Sequence, residues 1–206
     1  MLNLNKINNL TIVNNPKISI VSTKGMVIDP AKKILSSTPK VDLEIELSDC
    51  VRQCFNIRDI EFSNCYPQNL DEGAVFPHVK MAFEKINENI ANVAHDLNEV
   101  SISGKHKSRI EKILKKYIDE SDFDSQSDFI YKSDIRVGVL LSDRGAFRVI
   151  SIYFFEPSTT PDMKSSHRLI VLFFDPYHLF IPSSDYGTAI YGDVSHYTGD
   201  CRLLKY

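Results

Sequence analysis

The sequence predicts an α+β fold: a long αα-hairpin packed on a four-stranded antiparallel β meander, with an N-terminal β arm and an irregular C-terminal tail. Three observations predict it. Val79, Phe83, Ile86, Ile90, Val93, Leu97 and Val100 recur at steps of four and three, which draws one apolar seam along a helix. A second helical pattern follows after a short connection. From Ile135 onward the pattern switches to β-branched and aromatic runs separated by turn residues.

Residues 1–40 are rich in Asn, Lys, Ser and Thr, and Pro16, Pro30 and Pro39 interrupt the β-like pieces Leu10–Val13 and Ile18–Val21. They read as an arm, and 41–206 as one α+β domain. In Val41–Leu47, Val41, Leu43, Ile45 and Leu47 alternate with Asp42, Glu44 and Glu46, the period of a strand with one wet face. Ser48 offers an N-cap for a short helix over Asp49–Asn56. Pro67, Asp71-Glu72-Gly73 and Pro77 mark loop.

Pro77 suits the first turn of the seam helix, and Ser103-Gly104 can end it. The second helix, His106–Asp119, carries Ile110, Ile113, Leu114 and Tyr117 on one face. The pair forms an αα-hairpin. After an acidic loop come strands at Ile135–Leu141, Phe147–Phe155, His167–Phe174 and Tyr177–Ile181, with turns at Ser142–Gly145 and Asp175-Pro176 and a loop over Pro157–Ser166. Two of these runs are apolar on both faces. Val149, Tyr153 and Phe155 oppose Ile150, Ile152 and Phe154; Leu169, Val171 and Phe173 oppose Ile170, Leu172 and Phe174. Both faces of the sheet must therefore be covered.

With 206 residues and 43% hydrophobic residues, the chain can bury a substantial core. A net charge of -3 argues against wholesale attraction to nucleic acid or anionic lipid. The N-terminus lacks a secretory pattern, and no apolar run approaches the roughly 20 residues of a membrane helix. A soluble, cytoplasmic protein is the expectation. Cys50, Cys54, Cys65 and Cys201 show no zinc-type spacing and read as buried thiols, with no metal and no cofactor expected.

Three groups of residues could carry function. Lys105, Arg109, Lys112 and Lys116 form a basic stripe on the second helix, placed against the helix dipole, a face for phosphate or for a protein partner. The late strands bring His167, Arg168, Asp175, Tyr177 and His178, of which Arg168, Tyr177 and His178 are the catalytic candidates. The tail sets Tyr186, Tyr191 and Tyr197 among Gly and Ser, which suits a recognition surface. Phosphate-loop, dinucleotide, zinc-protease and serine-hydrolase motifs are missing, which leaves the question of an enzyme open.

The order of elements from Val41 to Ile181 resembles the small RelE-like toxins of bacterial addiction modules, which cleave messenger RNA on the ribosome. Such toxins use basic and aromatic residues of the sheet and C-terminal region. The resemblance implies an endoribonuclease using residues of the types found at Arg148, Arg168, Tyr177 and His178. The residue pattern itself points first to a different class: a binding, inhibitor or accessory module that meets another protein, or a second copy of itself, through the sheet face or the helical hairpin. RNA or DNA on the basic stripe is the other partner class.

Overall fold

The computed structural model describes residues 43–68, 97–135, 147–157, 165–182 and 188–199. Among them a five-stranded sheet runs in the order β1-β7-β6-β5-β4. Its strands are β1 (Leu43–Leu47), β4 (Asn98–Glu99), β5 (Ile130–Ile135), β6 (Phe147–Glu156) and β7 (Ser166–Asp175). A two-stranded ladder pairs β2 (Asn56–Ile57) with β3 (Phe62–Ser63). The α-helices among these residues are short: α1 (Lys107–Leu114), α2 (Glu120–Gln126) and α3 (Thr188–Val194).

The predicted architecture of a long hairpin on a four-stranded antiparallel meander is overturned. The sheet is mixed, because β1 runs parallel to β7, with Leu43 beside His167 and Leu47 beside Val171. The first predicted helix lies mostly outside the described residues. Its expected last turn is extended instead: Asn98 and Glu99 pair with Lys132 and Tyr131, and the Val100 amide donates to Ile130 O at 2.9 Å. A seam of fours and threes cannot mark where a helix stops when the next apolar residues serve a strand equally well.

The second helix closes early. After Leu114 the amides of Lys116 and Tyr117 donate to Ile113 O and Leu114 O, tightening the chain into a turn that plants Tyr117 and Ile118 in the core. The expected acidic loop is then α2, whose first-turn Glu120 and Asp122 suit the positive end of a helix. The 49–56 helix shrinks to a 3₁₀ turn over Asp49–Arg52.

Of the predicted meander, β6 and β7 stand nearly where the sequence set them. The predicted first strand, Ile135–Leu141, lies outside the described residues but for Ile135, which ends β5, a strand the sequence reading did not set at 130–134; the predicted last strand is no strand. Ile-Tyr-Lys-Ser-Asp-Ile (130–135) shows polar residues on both faces, so its period is faint. Tyr177–Ile181 is bent back because the Asp175 carboxylate accepts the amides of Leu179 (2.8 Å) and Phe180 (3.1 Å). His178, at φ 58, takes the left-handed conformation inside that bend.

The two-sided grease of β6 and β7 is real, and both faces are buried. A register shift beside Ile150 and Ser151 leaves Leu172 as an extra residue on β7. On one face lie Ile150, Ile152 and Phe173; the Tyr117 ring stacks on Phe173 at 4.3 Å, and Phe62 meets it edge-on at 6.2 Å. On the other lie Val149, Tyr153, Leu169, Val171 and Phe174, all buried. The sheet therefore offers no open apolar side at its centre. The predicted arm at 1–40, the turn at 142–145 and most of the 157–166 loop lie outside the described residues.

Candidate functional site

At the end of β7 two arginines and a buried carboxylate hold the following bend. Arg148 stands opposite Asp175 across the β6–β7 ladder. Its Nη1 donates to Ile181 O at 3.0 Å, and its Nε lies 3.4 Å from Asp134 Oδ1. Arg109, on α1, reaches across: Nε donates to Leu179 O at 3.0 Å, Nη1 to Ile60 O, and Nη2 to Glu61 O at 3.1 Å and to Leu179 O. Five donors in a rigid fork are matched to backbone carbonyls of two separate segments. Burial lowers the Arg109 pKa, while Asp175 and Glu61 oppose that; burial raises Asp175, against Arg148, its two amide donors and Arg109.

Tyr177 belongs to the same construction. Its hydroxyl donates to Cys65 O at 2.9 Å, and its ring meets those of Tyr66 and Tyr197. Burial pushes the phenol far above its ordinary value, which removes it as a proton donor in the neutral range. His178 is buried within the bend.

Arg168 is elsewhere. It sits at the start of β7, 3.6 Å from Glu46 on β1 and 2.7 Å from Glu156 on β6. Seven strand steps separate it from Asp175, roughly 23 Å at about 3.3 Å per residue. The structure therefore does not bring Arg168 together with Tyr177 and His178, and the predicted catalytic trio is two unrelated clusters.

The same end of the sheet holds an array that the sequence reading did not assemble. The Tyr153 hydroxyl lies 2.6 Å from His167 Nδ1, and Ser165 Oγ lies 3.0 Å from Nε2. Phe155 packs on the imidazole with ring centroids 4.9 Å apart. Burial lowers the His167 pKa and raises that of Tyr153, so both groups stay neutral at pH 7. A phenol donates to an imidazole nitrogen more readily than it accepts from one. That fixes the Nε2–H tautomer, which donates to Ser165 Oγ and cannot take that hydroxyl's proton. The array is an anchor for β6 and β7 rather than an activated nucleophile. Ser-x-His at the start of a strand puts both side chains on one face, a pattern visible in the sequence.

The basic stripe is divided by the fold. Arg109 is turned inward, as described. Lys105, Lys112 and Lys116 remain on the outer face; Lys112 pairs with Asp59, and Lys116 lies 5.9 Å from the Phe55 ring. Lys107 faces Glu111 at 3.8 Å, and Lys115 faces Glu120 at 3.0 Å. Of the tail tyrosines, Tyr191 donates to Asn56 Oδ1 at 2.9 Å, Tyr197 is buried against Tyr177 and His196, and Tyr186 lies outside the described residues. Tyr191 and Tyr197 thus brace α3 and the chain after it.

Among the described residues no cluster of His, Cys, Asp and Glu is arranged to hold a metal ion, and no helix is long and apolar enough to cross a membrane. Comparison of the chain with protein-family profiles, curated proteins and solved structures finds no match.

Proposed function

We propose that this chain is a binding or accessory module that meets another protein through the outer face of α1 and α2. The observation that carries this reading is the charge pattern of that face. Lys105, Lys107, Lys112, Lys115 and Lys116 are solvent-facing, and Glu120, Asp124 and Asp128 follow them on and just beyond α2. Interleaved charges of both signs give register and partner choice in protein association. A phosphate backbone would meet the lysines and be repelled by the adjoining acids. The centre of the sheet, one of the two surfaces expected to dock, is buried on both faces, so the reading moves to the helices.

The test is cross-linking of the full chain to its captured partner at low salt, with the cross-linked lysines located by mass. Cross-links from Lys105, Lys112 or Lys116 to a protein, lost together with capture in a folded Lys105→Glu/Lys112→Glu/Lys116→Glu variant, are expected. Unchanged capture by the triple variant rejects the surface. Steeply salt-dependent retention on an RNA column, abolished by the same variant, transfers it to nucleic acid.

A further inference from the structure

We propose that the partner met by the outer face of α1 and α2 is a second copy of this chain, docked about a two-fold axis. This rests on the reading that the face meets a protein, and it names that protein. The charges of the face stand in two blocks. Residues 104–118 hold six lysines and arginines against the single acid Glu111, and 119–128 hold five acids and no base. In the middle of the face these charges are satisfied within the chain. Lys112 pairs with Asp59, Lys115 pairs with Glu120 at 3.0 Å, and Arg109 is turned to backbone carbonyls.

What is left over stands at the two outer ends. Lys105 and Lys107 are exposed at the start of α1; Lys107 has Glu111 at 3.8 Å, and Lys105 forms no ion pair among the described residues. Asp124, in the last turn of α2, and Asp128, just beyond it, are exposed and likewise form no ion pair there. Each set opposes the helix dipole beside it. The start of α1 is positive, yet it carries lysines, has no acid in its first turn and has no side chain capping its amides. The end of α2 is negative, yet it carries acids and has no base in its last turn.

α1 and α2 do not pack along one another, so the chain does not bring these two ends together itself. A second copy can. In an isologous contact residue i meets j, and j meets i. Turned about an axis beside the Lys115–Glu120 junction, the copy sets its Asp124 and Asp128 against Lys105 and Lys107, and receives the same from the first chain. Both helix ends in both chains then face charge of the sign their dipoles favour. A nucleic acid or a uniformly acidic protein would suit the lysine end alone. Such a contact is electrostatic and is weakened by salt.

The full chain is followed by sedimentation equilibrium over a range of concentrations, at low and at high salt. A mass that rises from one chain towards two with concentration at low salt, and returns to one chain at high salt, is expected. Lys105→Glu/Lys107→Glu and Asp124→Lys/Asp128→Lys are each expected to stay monomeric. Their equimolar mixture is expected to form the dimer again, because each altered block then meets its opposite, and that recovery requires both variants to be folded. Each variant also removes charge that opposes a helix dipole, so association is lost while the unfolding midpoint holds or rises. A wild-type chain that sediments singly at every concentration, a dimer that either variant keeps, or a mixture that stays monomeric overturns the two-fold contact. If the chain is single while Lys105, Lys112 or Lys116 still cross-link to a different protein, the copy is rejected and the partner surface stands; if those cross-links are absent as well, both fall.

Discussion

Arg109 and Arg168 are equivalent in the sequence, and the structure gives them different roles. Arg109 is half-buried and supplies the backbone carbonyls of residues 60–61 and 179–180. Arg109→Ala leaves those carbonyls short of donors and is expected to destabilise by about 2–3 kcal/mol in urea unfolding, with Arg109→Lys restoring only part. Arg168 pairs with the exposed Glu156 and, at 3.6 Å, with the buried Glu46, so Arg168→Ala is expected to lose about 1–3 kcal/mol, chiefly by leaving Glu46 without its partner. His167 brings a pH dependence. Its folded pKa lies below the ordinary value of about 6.5, so as pH falls the unfolded chain takes up the proton first. Stability is then lost from about pH 6.5 downward until the lower folded value is reached. His167→Gln is expected to flatten that part of the profile of unfolding midpoint against pH. His106, held low mainly by burial and then by Lys105 and Arg109, remains in both proteins, so the difference between them isolates His167.

At the scale of elements, the pairing of β6 with β7 is the long one, running from Arg148 opposite Asp175 to Glu156 opposite Ser166. Both strands have neighbours on each side, β5 and β1. The two-residue β4 sits at the edge with both side chains exposed. Hydrogen exchange read residue by residue is expected to be slowest at buried positions such as Ile150, Ile152 and Leu169–Phe173, and much faster at Asn98 and Glu99. Equal rates across the sheet would mean that it opens only as a whole. β6 and β7 were readable because ten-residue apolar runs with turn residues at their ends have few alternatives. β5 was not, since Lys132, Ser133 and Asp134 hide its period, and its strand character comes from pairing with β6. The candidate site fared likewise. Each late polar residue could be named, but the distance between Arg168 and Tyr177 depends on β7 being one uninterrupted strand followed by a bend.

For the molecule as a whole, Phe173 is the residue on which the layers converge. Tyr117 after α1, Phe62 on β3 and Phe180 in the bend all meet its ring. Phe173→Ala is expected to destabilise by about 3–5 kcal/mol in chemical unfolding, because three separate segments lose one shared contact and cannot collapse on the gap together. A cost near that of a surface substitution would mean that the layers do not share a core here. By itself the sequence determined that the runs forming β6 and β7 have no polar face, since a side chain's polarity and a strand's period of two are local properties. Only the tertiary structure decided that β1 joins β7 in parallel, that the predicted last strand becomes a bend, and that Arg109 leaves its stripe to hold backbone. Each of those outcomes depends on which distant carbonyl or amide lies within hydrogen-bonding reach, and that is set by contacts between residues far apart in the chain.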